Sequence, residues 1–438
     1  MRLASPDNLK SALSTLSRLR HRIAGHVDRV EEGDTLIGWA ADLADPSRRV
    51  VVECVHEGRV LATAMAGDFR EDIKAAAVGD GSGAYAFKLT VPSDVLLDLA
   101  DPVVQVRVQG TTRYLNPRET RLRNDVFLMF VAGDIVNNCN LRCPFCLVDY
   151  SGITKTQVMA EETFRKLMML ASSVPDGQFF ISCLHEPTLH PKLNHFLTLI
   201  PENARKKVFF TTNLARPLKA ADFEAWANSG LHHINISLDT LDAERFAVLR
   251  KFGRFEVFKA NLELMTSIFA KTPHAPKLHY ITMAFRSNFE EIAEIVKLTR
   301  ERWLGVENEI RYTFNVKHIT DDFRQREYLH KEDWPALSAR LDATGYKVNI
   351  AYPPADGYEE TIKPAQNFFE ARGPSDGPPR VTFTKPMGLR AAPDGTILVS
   401  DAEDALRVNI NSLEDPVRFF RSLLRQAQPR TDGVVLVP

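Results

Sequence analysis

The sequence has few cysteines, no long apolar run and no excess of charge of one sign. Only five of its 438 residues are cysteine, an odd number that argues against a disulfide framework. No apolar run approaches the roughly 18 residues that span a bilayer, and no N-terminal segment has a signal peptide's apolar centre. With 55 Lys plus Arg against 56 Asp plus Glu, the chain lacks the basic excess typical of nucleic-acid binding. We therefore expect a cytoplasmic protein with no transmembrane segment and no nucleic-acid partner.

The N-terminal third of the sequence predicts a helix and then a β-sandwich. Residues 1–22 combine basic side chains with leucines at helical spacing, which predicts an amphipathic helix packed on its own protein rather than on a membrane. Residues 23–120 contain short β-branched runs at 49–55, 60–64, 84–89 and 103–108, separated by turn residues. This sequence pattern predicts an all-β sandwich, with Cys54 as a buried structural thiol on a strand face.

Residues 124–320 alternate between apolar strands and amphipathic helices, which is typical of an α/β fold with a parallel sheet. The predicted strands are 126–136, 178–183, 208–213, 233–239, 278–285 and 310–316, and the predicted helices are 160–172, 190–200, 218–229, 242–270 and 289–303. Six units are too few to close an eight-stranded barrel. We therefore predict a partial (β/α)6 TIM-like barrel.

Residues 321–438 predict a linker followed by a small α+β cap. The stretch 351–380 is rich in proline, which favours a linker or lid over a packed element. After it, the apolar runs 381–384 and 396–400 flank the turn residues Pro393-Asp394-Gly395. This pattern predicts a β-hairpin.

Three cysteines fall within eight positions directly after the first predicted barrel strand. Cys139, Cys143 and Cys146 are spaced by four and three residues, so on a loop of near-helical pitch their thiols project to one side. Four-iron clusters normally take four thiolates, so three cysteines would leave one iron open to an exogenous ligand. The alternative is a structural zinc site with His185 or Cys183 as a fourth ligand.

Residues 139–146, Cys-Asn-Leu-Arg-Cys-Pro-Phe-Cys, resemble the signature of the radical S-adenosylmethionine (radical SAM) enzymes. The resemblance implies a [4Fe-4S] cluster on Cys139, Cys143 and Cys146, with S-adenosylmethionine chelated by the fourth iron. It also implies an external electron donor such as flavodoxin or ferredoxin, and a 5'-deoxyadenosyl radical that abstracts hydrogen from a substrate. Phe145 would lie by the adenine, unless it is an ordinary core phenylalanine.

The second predicted strand is followed by Cys183-Leu184-His185-Glu186-Pro187, which is similar to the family's Gly-Gly-Glu-Pro motif. The resemblance implies that the carboxylate of Glu186 accepts a hydrogen bond from the ammonium group of the cofactor. Here Cys183 and His185 stand where glycines are common. Cys183 is either a thiol that donates hydrogen to a substrate radical or a wall residue.

Polar residues also end the third and fourth predicted strands, as Thr211-Thr212-Asn213 and Ser237-Leu238-Asp239. The resemblance implies that Asn213, Ser237 and Asp239 meet the methionine and ribose parts of the cofactor, whereas the threonines are equally well explained as satisfied strand ends. Arg286, after the fifth strand, is predicted to reach the cofactor carboxylate or the substrate, unless it is solvated.

The β-sandwich and the C-terminal segment resemble known modules and so indicate a class of substrate. Residues 385–400 resemble the C-terminal SPASM-like domain of peptide- and sugar-modifying members, but its cysteines are absent and Ser400 stands in place of one. The sandwich resembles a module of bacterial glycosyltransferases, through Gly38-Trp39-Ala40 and Gly79-Asp80-Gly81 among others. By this analogy the expected substrate is a carbohydrate or nucleotide-sugar, with a peptide as the alternative. A hypothesis of another class is a non-catalytic metal-binding or electron-transfer protein.

Overall fold

The computed structural model describes residues 22–97, 99, 102–116, 119–122, 128–182, 184–312, 316–351, 380–381, 388–399, 406–426 and 435–436. The chain divides into two compact units, one of residues 1–126 with 417–425 and one of residues 127–416 with 426–438. The predicted N-terminal helix and nearly all of the predicted linker lie outside the described residues and stay predictions. None of the described helices is long and apolar enough to cross a membrane.

The first unit is built on two antiparallel four-stranded sheets, as predicted. Their strand orders are β1-β2-β6-β5 and β4-β3-β7-β8. The elements are β1 (Ile23–Glu31), β2 (Thr35–Asp42), β3 (Val50–His56), β4 (Arg59–Ala66), β5 (Asp68–Phe69), α1 (Glu71–Ala75), β6 (Ala84–Thr90), α2 (Ser93–Leu97), β7 (Val103–Val108) and β8 (Thr120–Arg121).

Period-two alternation explains the core of this unit. In β7, Val104, Val106 and Val108 are buried while the residues between them are only half-buried, because successive side chains point to opposite faces. Cys54 packs with this core and is fully buried, which confirms the predicted structural thiol. Burial raises the pKa of Cys54 to about 12, so its thiol stays neutral.

The second unit alternates strands and helices around one sheet. The described elements from residue 130 onwards, which include helix α11 of the first unit, are β9 (Phe130–Gly133), α3 (Glu161–Met169), β10 (Phe179–Ile181), α4 (Leu193–Thr198), β11 (Val208–Thr212), α5 (Ala220–Ala227), β12 (His233–Ser237), α6 (Ala243–Leu249), α7 (Phe255–Phe269), β13 (Lys277–Met283), α8 (Ile292–Glu301), β14 (Gly305–Arg311), α9 (Asp321–Glu327), α10 (Trp334–Asp342), β15 (Asn349–Ala351), β16 (Arg380–Val381), β17 (Gly388–Ala391), β18 (Thr396–Val399), β19 (Leu406–Asn409), α11 (Pro416–Gln426) and β20 (Val435–Leu436).

The sheet of the second unit runs in the order β15-β14-β13-β12-β11-β10-β9-β17-β18-β19. Strands β9 to β15 are parallel to their neighbours, and β17 also pairs with β9 in parallel. The described strands do not close into a ring, since β15 and β19 are its two edges. This arrangement confirms the predicted partial α/β barrel.

Three local elements differ from the prediction. Strand β14 begins at Gly305 rather than at the predicted residue 310. The prediction missed its first residues because half-buried glutamates alternate there with buried side chains and hide the apolar period. The helix predicted over 242–270 is two helices, α6 and α7, separated by a turn in which Phe252 adopts a left-handed φ of 75°. The hairpin forms between β17 and β18, whereas β16, which contains Val381, pairs with β20.

Helix α11 belongs mainly to the first unit, where it carries a buried cation. Arg421 is 2% exposed and forms an ion pair with Asp34, which is fully buried beside β2. The hydroxyl of Thr35 donates to Asp34 Oδ1 at 2.8 Å. A buried charge is tolerated only when it is paired, so α11 and the β1–β2 turn depend on each other.

A cavity at the amino ends of the parallel strands contains stacked aromatic rings. The ring of His233 stacks on Phe209 and on His279, with centroid distances of 4.0 and 4.1 Å. The Nδ1 atoms of His232 and His233 are 2.6 Å apart. Burial lowers the pKa of His233 to about 2 and that of His279 to about 4, so both imidazoles are neutral at pH 7.

Candidate active site

A cavity at the carboxyl ends of β9 to β12 brings together most of the predicted site residues. In parallel α/β sheets, ligands bind at this edge. Its walls are Cys139, Leu141, Cys143, Cys146, Tyr150, Leu184, His185, Glu186, Thr211, Thr212, Asn213, Ser237 and Arg250. All three clustered cysteines therefore share one space with Glu186, Asn213 and Ser237.

The loop that carries the three cysteines is held by hydrogen bonds to its own carbonyl groups. Arg142 donates through Nη1 to the carbonyl of Cys139 at 2.6 Å, and the N–H of Cys146 donates to the carbonyl of Cys143 at 3.1 Å. The Nε2 atom of His318 lies 2.7 Å from the carbonyl of Cys146. These contacts fix the backbone from which the thiols project.

The sulfur atoms are surrounded by hydrogen-bond donors. The N–H of Leu141 and the side-chain amide of Asn213 each lie 3.4 Å from Cys139 Sγ, and the N–H of Val148 lies 3.4 Å from Cys146 Sγ. Burial raises the pKa of Cys139 to about 12, so this thiol is neutral at pH 7 and would have to lose its proton to bind iron. Donors that face sulfur suit the thiolate form, so the donor set fits a bound cluster.

The zinc alternative rests on residues that the structure places only in part. Cys183 lies outside the described residues, so its predicted role as hydrogen donor stays a prediction. The ring of His185 lines the cavity, with its Nδ1 atom 3.1 Å from the hydroxyl of Tyr150. Within the described part of the chain, no three His, Cys, Asp or Glu side chains are grouped so as to hold one metal ion.

Glu186 is 2% exposed and follows β10 at the start of a short 3-10 turn. Its Oε1 accepts from the hydroxyls of Thr188 at 2.7 Å and Thr212 at 2.9 Å, and from the N–H of Thr188 at 3.2 Å. Its Oε2 accepts from the N–H of Asn213 at 2.8 Å. Burial raises the pKa of Glu186, which these four donors oppose. Oε2 has one donor against three on Oε1, so it keeps acceptor capacity for a cation.

Asp239 does not line the cavity but holds a residue that does. It is fully buried, and its Oδ2 lies 2.6 Å from Nη2 of Arg250. Arg250 in turn places Nη1 3.9 Å from Cys143 Sγ. Its Nε makes no hydrogen bond among the described residues. The structure thus adds Arg250 to the site, and the only local signal for it is an arginine near a helix end.

Two other predicted cofactor residues do not line the cavity. Phe145 is 6% exposed and packs in the core, with its ring 4.8 Å from that of Phe285 and 6.3 Å from that of Phe323. Arg286 is exposed, and its Nη1 donates to the carbonyl of Gln325 at 3.2 Å. Direct cofactor contacts by Phe145, Asp239 and Arg286 therefore stay predictions without support from the cavity.

Three thiols at the carboxyl edge of a parallel α/β sheet define a protein built to hold an inorganic cluster. Residues 134–299 match the family model of the radical SAM superfamily, and this segment is a radical SAM domain. The match confirms the predicted family and its cofactor pair, a [4Fe-4S] cluster and S-adenosylmethionine.

Comparison with individual proteins gives partial matches. GTP 3',8-cyclase of Chlorobaculum tepidum is 30% identical over 178 residues, which cover 40% of this chain and 52% of that protein. GTP 3',8-cyclase of Heliobacterium modesticaldum is 29% identical over 174 residues, which cover 39% of this chain and 51% of that protein. The chain therefore spans about half the length of these curated relatives. Among solved structures, Streptococcus suis SuiB has a TM-score of 0.48 at 19% identity and covers 68% of each chain.

Proposed function

We propose that the cysteine-lined cavity is the active site of a radical SAM enzyme that abstracts hydrogen from a carbohydrate or nucleotide-sugar. The observation that carries the proposal is the single cavity shared by Cys139, Cys143, Cys146 and Glu186. When bound, the cluster and S-adenosylmethionine supply a one-electron cleavage that yields the 5'-deoxyadenosyl radical. The protein supplies binding, orientation and exclusion of water.

The side chains of the cavity divide by charge in a way that suits the cofactor. The three thiols hold the cluster, and Glu186 binds the ammonium group through Oε2 by a charge-assisted hydrogen bond. Arg250 is the buried cation of the cavity wall and matches the cofactor carboxylate. Asn213 and Ser237 offer amide and hydroxyl groups for the remaining polar atoms.

The substrate proposal rests on the two regions that flank the chemistry. The β-sandwich resembles modules of polysaccharide enzymes, and we assign it substrate recruitment, since neither a nucleophile nor a metal motif occurs in its sequence. The matched relatives are named for GTP, a nucleotide, which supports a nucleotide-sugar over a simple sugar. A peptide remains the second candidate because the C-terminal segment resembles caps of peptide-modifying members.

Two measurements test this function. The anaerobically purified full chain should be brown, hold four irons and release 5'-deoxyadenosine when given reductant and S-adenosylmethionine. A colourless protein that holds zinc would instead support the non-catalytic metalloprotein. Panels of nucleotide-sugars and of peptides should then be compared for stimulated 5'-deoxyadenosine release, and stimulation by peptides alone would overturn the substrate class.

A further inference from the structure

An exposed turn between α6 and α7 lies against the cysteine loop and carries an unusual phenylalanine. Phe252 is 71% exposed, the largest exposed fraction among the large hydrophobic side chains that the structure describes. Val248, four residues earlier at the end of α6, is 53% exposed. We call Val248, Lys251, Phe252 and Arg254 the turn patch. An apolar pair at the surface of an otherwise amphipathic segment is typical of a contact surface.

The backbone of the turn patch is strained. Phe252 has a φ of 75°, in the left-handed region where a bulky side chain is an outlier. The turn is closed by a hydrogen bond from the N–H of Gly253 to the carbonyl of Arg250 at 2.7 Å. Glycine would occupy position 252 without strain, yet phenylalanine stands there and glycine comes one residue later. Strain of this kind persists only where the surrounding structure holds it, and it is common at functional sites.

The same turn is bonded directly to the loop that carries the thiols. The N–H of Arg142 donates to the carbonyl of Lys251 at 3.0 Å, and Arg142 is the residue before Cys143. A Cβ placed on Gly253 would lie 3.2 Å from the side chain of Leu141. One hydrogen bond and one covalent link therefore join the exposed patch to a cysteine of the cavity.

The charge of the turn patch is positive on both sides of Phe252. Lys251 and Arg254 are exposed, and the ammonium group of Lys251 lies 5.6 Å from the centre of the Phe252 ring. An exposed aromatic ring between cations is complementary to an acidic protein with an apolar contact point.

We propose that the turn patch is the docking site of an acidic electron-transfer protein that reduces the cluster. This inference rests on the proposed function, which needs one external electron. The donor protein is oxidised by one electron, and the cluster held at Cys143 is reduced by one. The short path through Lys251 and Arg142 explains why the contact surface lies at this turn.

The test uses the full chain with its reconstituted cluster, and compares two reductants by stopped-flow absorbance. Chemically reduced flavodoxin is the protein probe, and dithionite is the small reductant that needs no docking. Phe252→Gly removes the ring and suits the left-handed backbone, while Lys251→Glu reverses a charge and keeps the carbonyl that binds Arg142. Phe69→Ala is the matched control, because Phe69 is an exposed aromatic of the first unit, 57% exposed.

We expect Phe252→Gly and Lys251→Glu each to slow cluster reduction by flavodoxin about tenfold or more. The rate of the unsubstituted chain should fall as salt is added, because salt screens the attraction between the turn patch and the acidic donor. Reduction by dithionite should be unchanged in both variants, and Phe69→Ala should match the unsubstituted chain with both reductants. Any of three results would overturn the docking site. The four proteins could be reduced by flavodoxin at equal rates, the variants could be reduced more slowly by both reductants alike, or the substitutions could do no more than abolish self-association of the chain. A chain with no cluster that dithionite can reduce would instead overturn the proposed function.

Discussion

The guanidinium of Arg250 bridges the carboxylate of Asp239, at 2.6 Å, and the thiol of Cys143, at 3.9 Å. Both charged residues are at least nine-tenths buried, so water screens their charges only weakly. A buried cation beside a cluster ligand stabilises added negative charge, and its anionic partner opposes this effect. The pair thus sets the electrostatic potential at one corner of the proposed cluster.

Substitutions in this pair should move the midpoint potential of the cluster in opposite directions. Arg250→Gln should lower it, because the cation beside Cys143 is lost, and Asp239→Asn should raise it, because the cation is no longer balanced. Arg250→Lys keeps the charge and serves as the control. Redox titrations followed by electron paramagnetic resonance give the potentials, and shifts of the same sign in both variants would exclude this electrostatic role.

Each cavity cysteine should be required for cluster binding but not for the first unit. Cys139→Ala, Cys143→Ala and Cys146→Ala each remove one thiolate, so we expect loss of bound iron and of 5'-deoxyadenosine formation. Cys54→Ala is the matched control, since Cys54 is buried in the sandwich core. Iron analysis and circular dichroism report the two effects, and full activity in any of the three variants would refute the cluster assignment.

Glu186→Gln should weaken S-adenosylmethionine binding without loss of iron. A hydrogen bond to a charged group contributes about 1.5 to 3 kcal/mol, which corresponds to roughly tenfold to a hundredfold in affinity. The amide nitrogen of glutamine would also face the N–H of Asn213, which now donates to Oε2. Calorimetry on the iron-loaded chain measures the affinity, and an unchanged value would remove Glu186 from the cofactor site.

The stacked histidines should make the second unit acid-sensitive. A histidine whose folded pKa lies below its unfolded value near 6.5 binds fewer protons when folded, so unfolding becomes easier as the pH falls below 6.5. With a folded pKa of about 4, His279 alone contributes an expected loss of about 1 to 2 kcal/mol between pH 7 and pH 5. His279→Phe keeps a ring in the stack and should remove this share of the dependence, whereas His233, with a folded pKa of about 2, keeps its own. Urea unfolding at both pH values tests the sign, and a chain more stable at pH 5 would contradict it.

Breaking the buried ion pair of the first unit should destabilise it strongly. Arg421→Ala leaves Asp34 buried without its main cation, at a cost of about 3 to 5 kcal/mol. Asp34→Asn combined with Arg421→Met removes both charges and should recover most of this loss. Arg418→Ala, in the half-exposed neighbour, should have a small effect. Denaturant unfolding curves distinguish the three cases, and equal losses in the single and double variants would exclude a charge-based cause.

Local motifs predicted those parts of the site whose residues are close in sequence. The cysteine spacing, the Glu186-Pro187 pair and the polar ends of β11 and β12 each lie within a few positions of a strand end, where parallel topology gathers them. Arg250 escaped prediction because its burial depends on Asp239, with which no local pattern connects it. Phe145 meets Phe285 and Phe323 only through packing of distant segments, which sequence spacing does not encode.

The sheet was predicted up to its last strands for the same reason. Strands β9 to β13 follow one another along the chain with a clear apolar pattern. Strand β17 pairs with β9 across more than half of the chain, and such pairings depend on packing rather than on any local signal. The prediction therefore found the hairpin but not the strand of the barrel beside which it lies.

The pairing of Asp34 with Arg421 has a consequence for biosynthesis. The two residues are 387 positions apart, so the ribosome makes the carboxylate long before its cationic partner. Domains generally fold as units during synthesis, but here β1 and β2 leave the exit tunnel while Arg421 is still to be made. A nascent chain that stalls before Pro416 would leave Asp34 without this partner. Folding of the first unit therefore waits for the synthesis of α11.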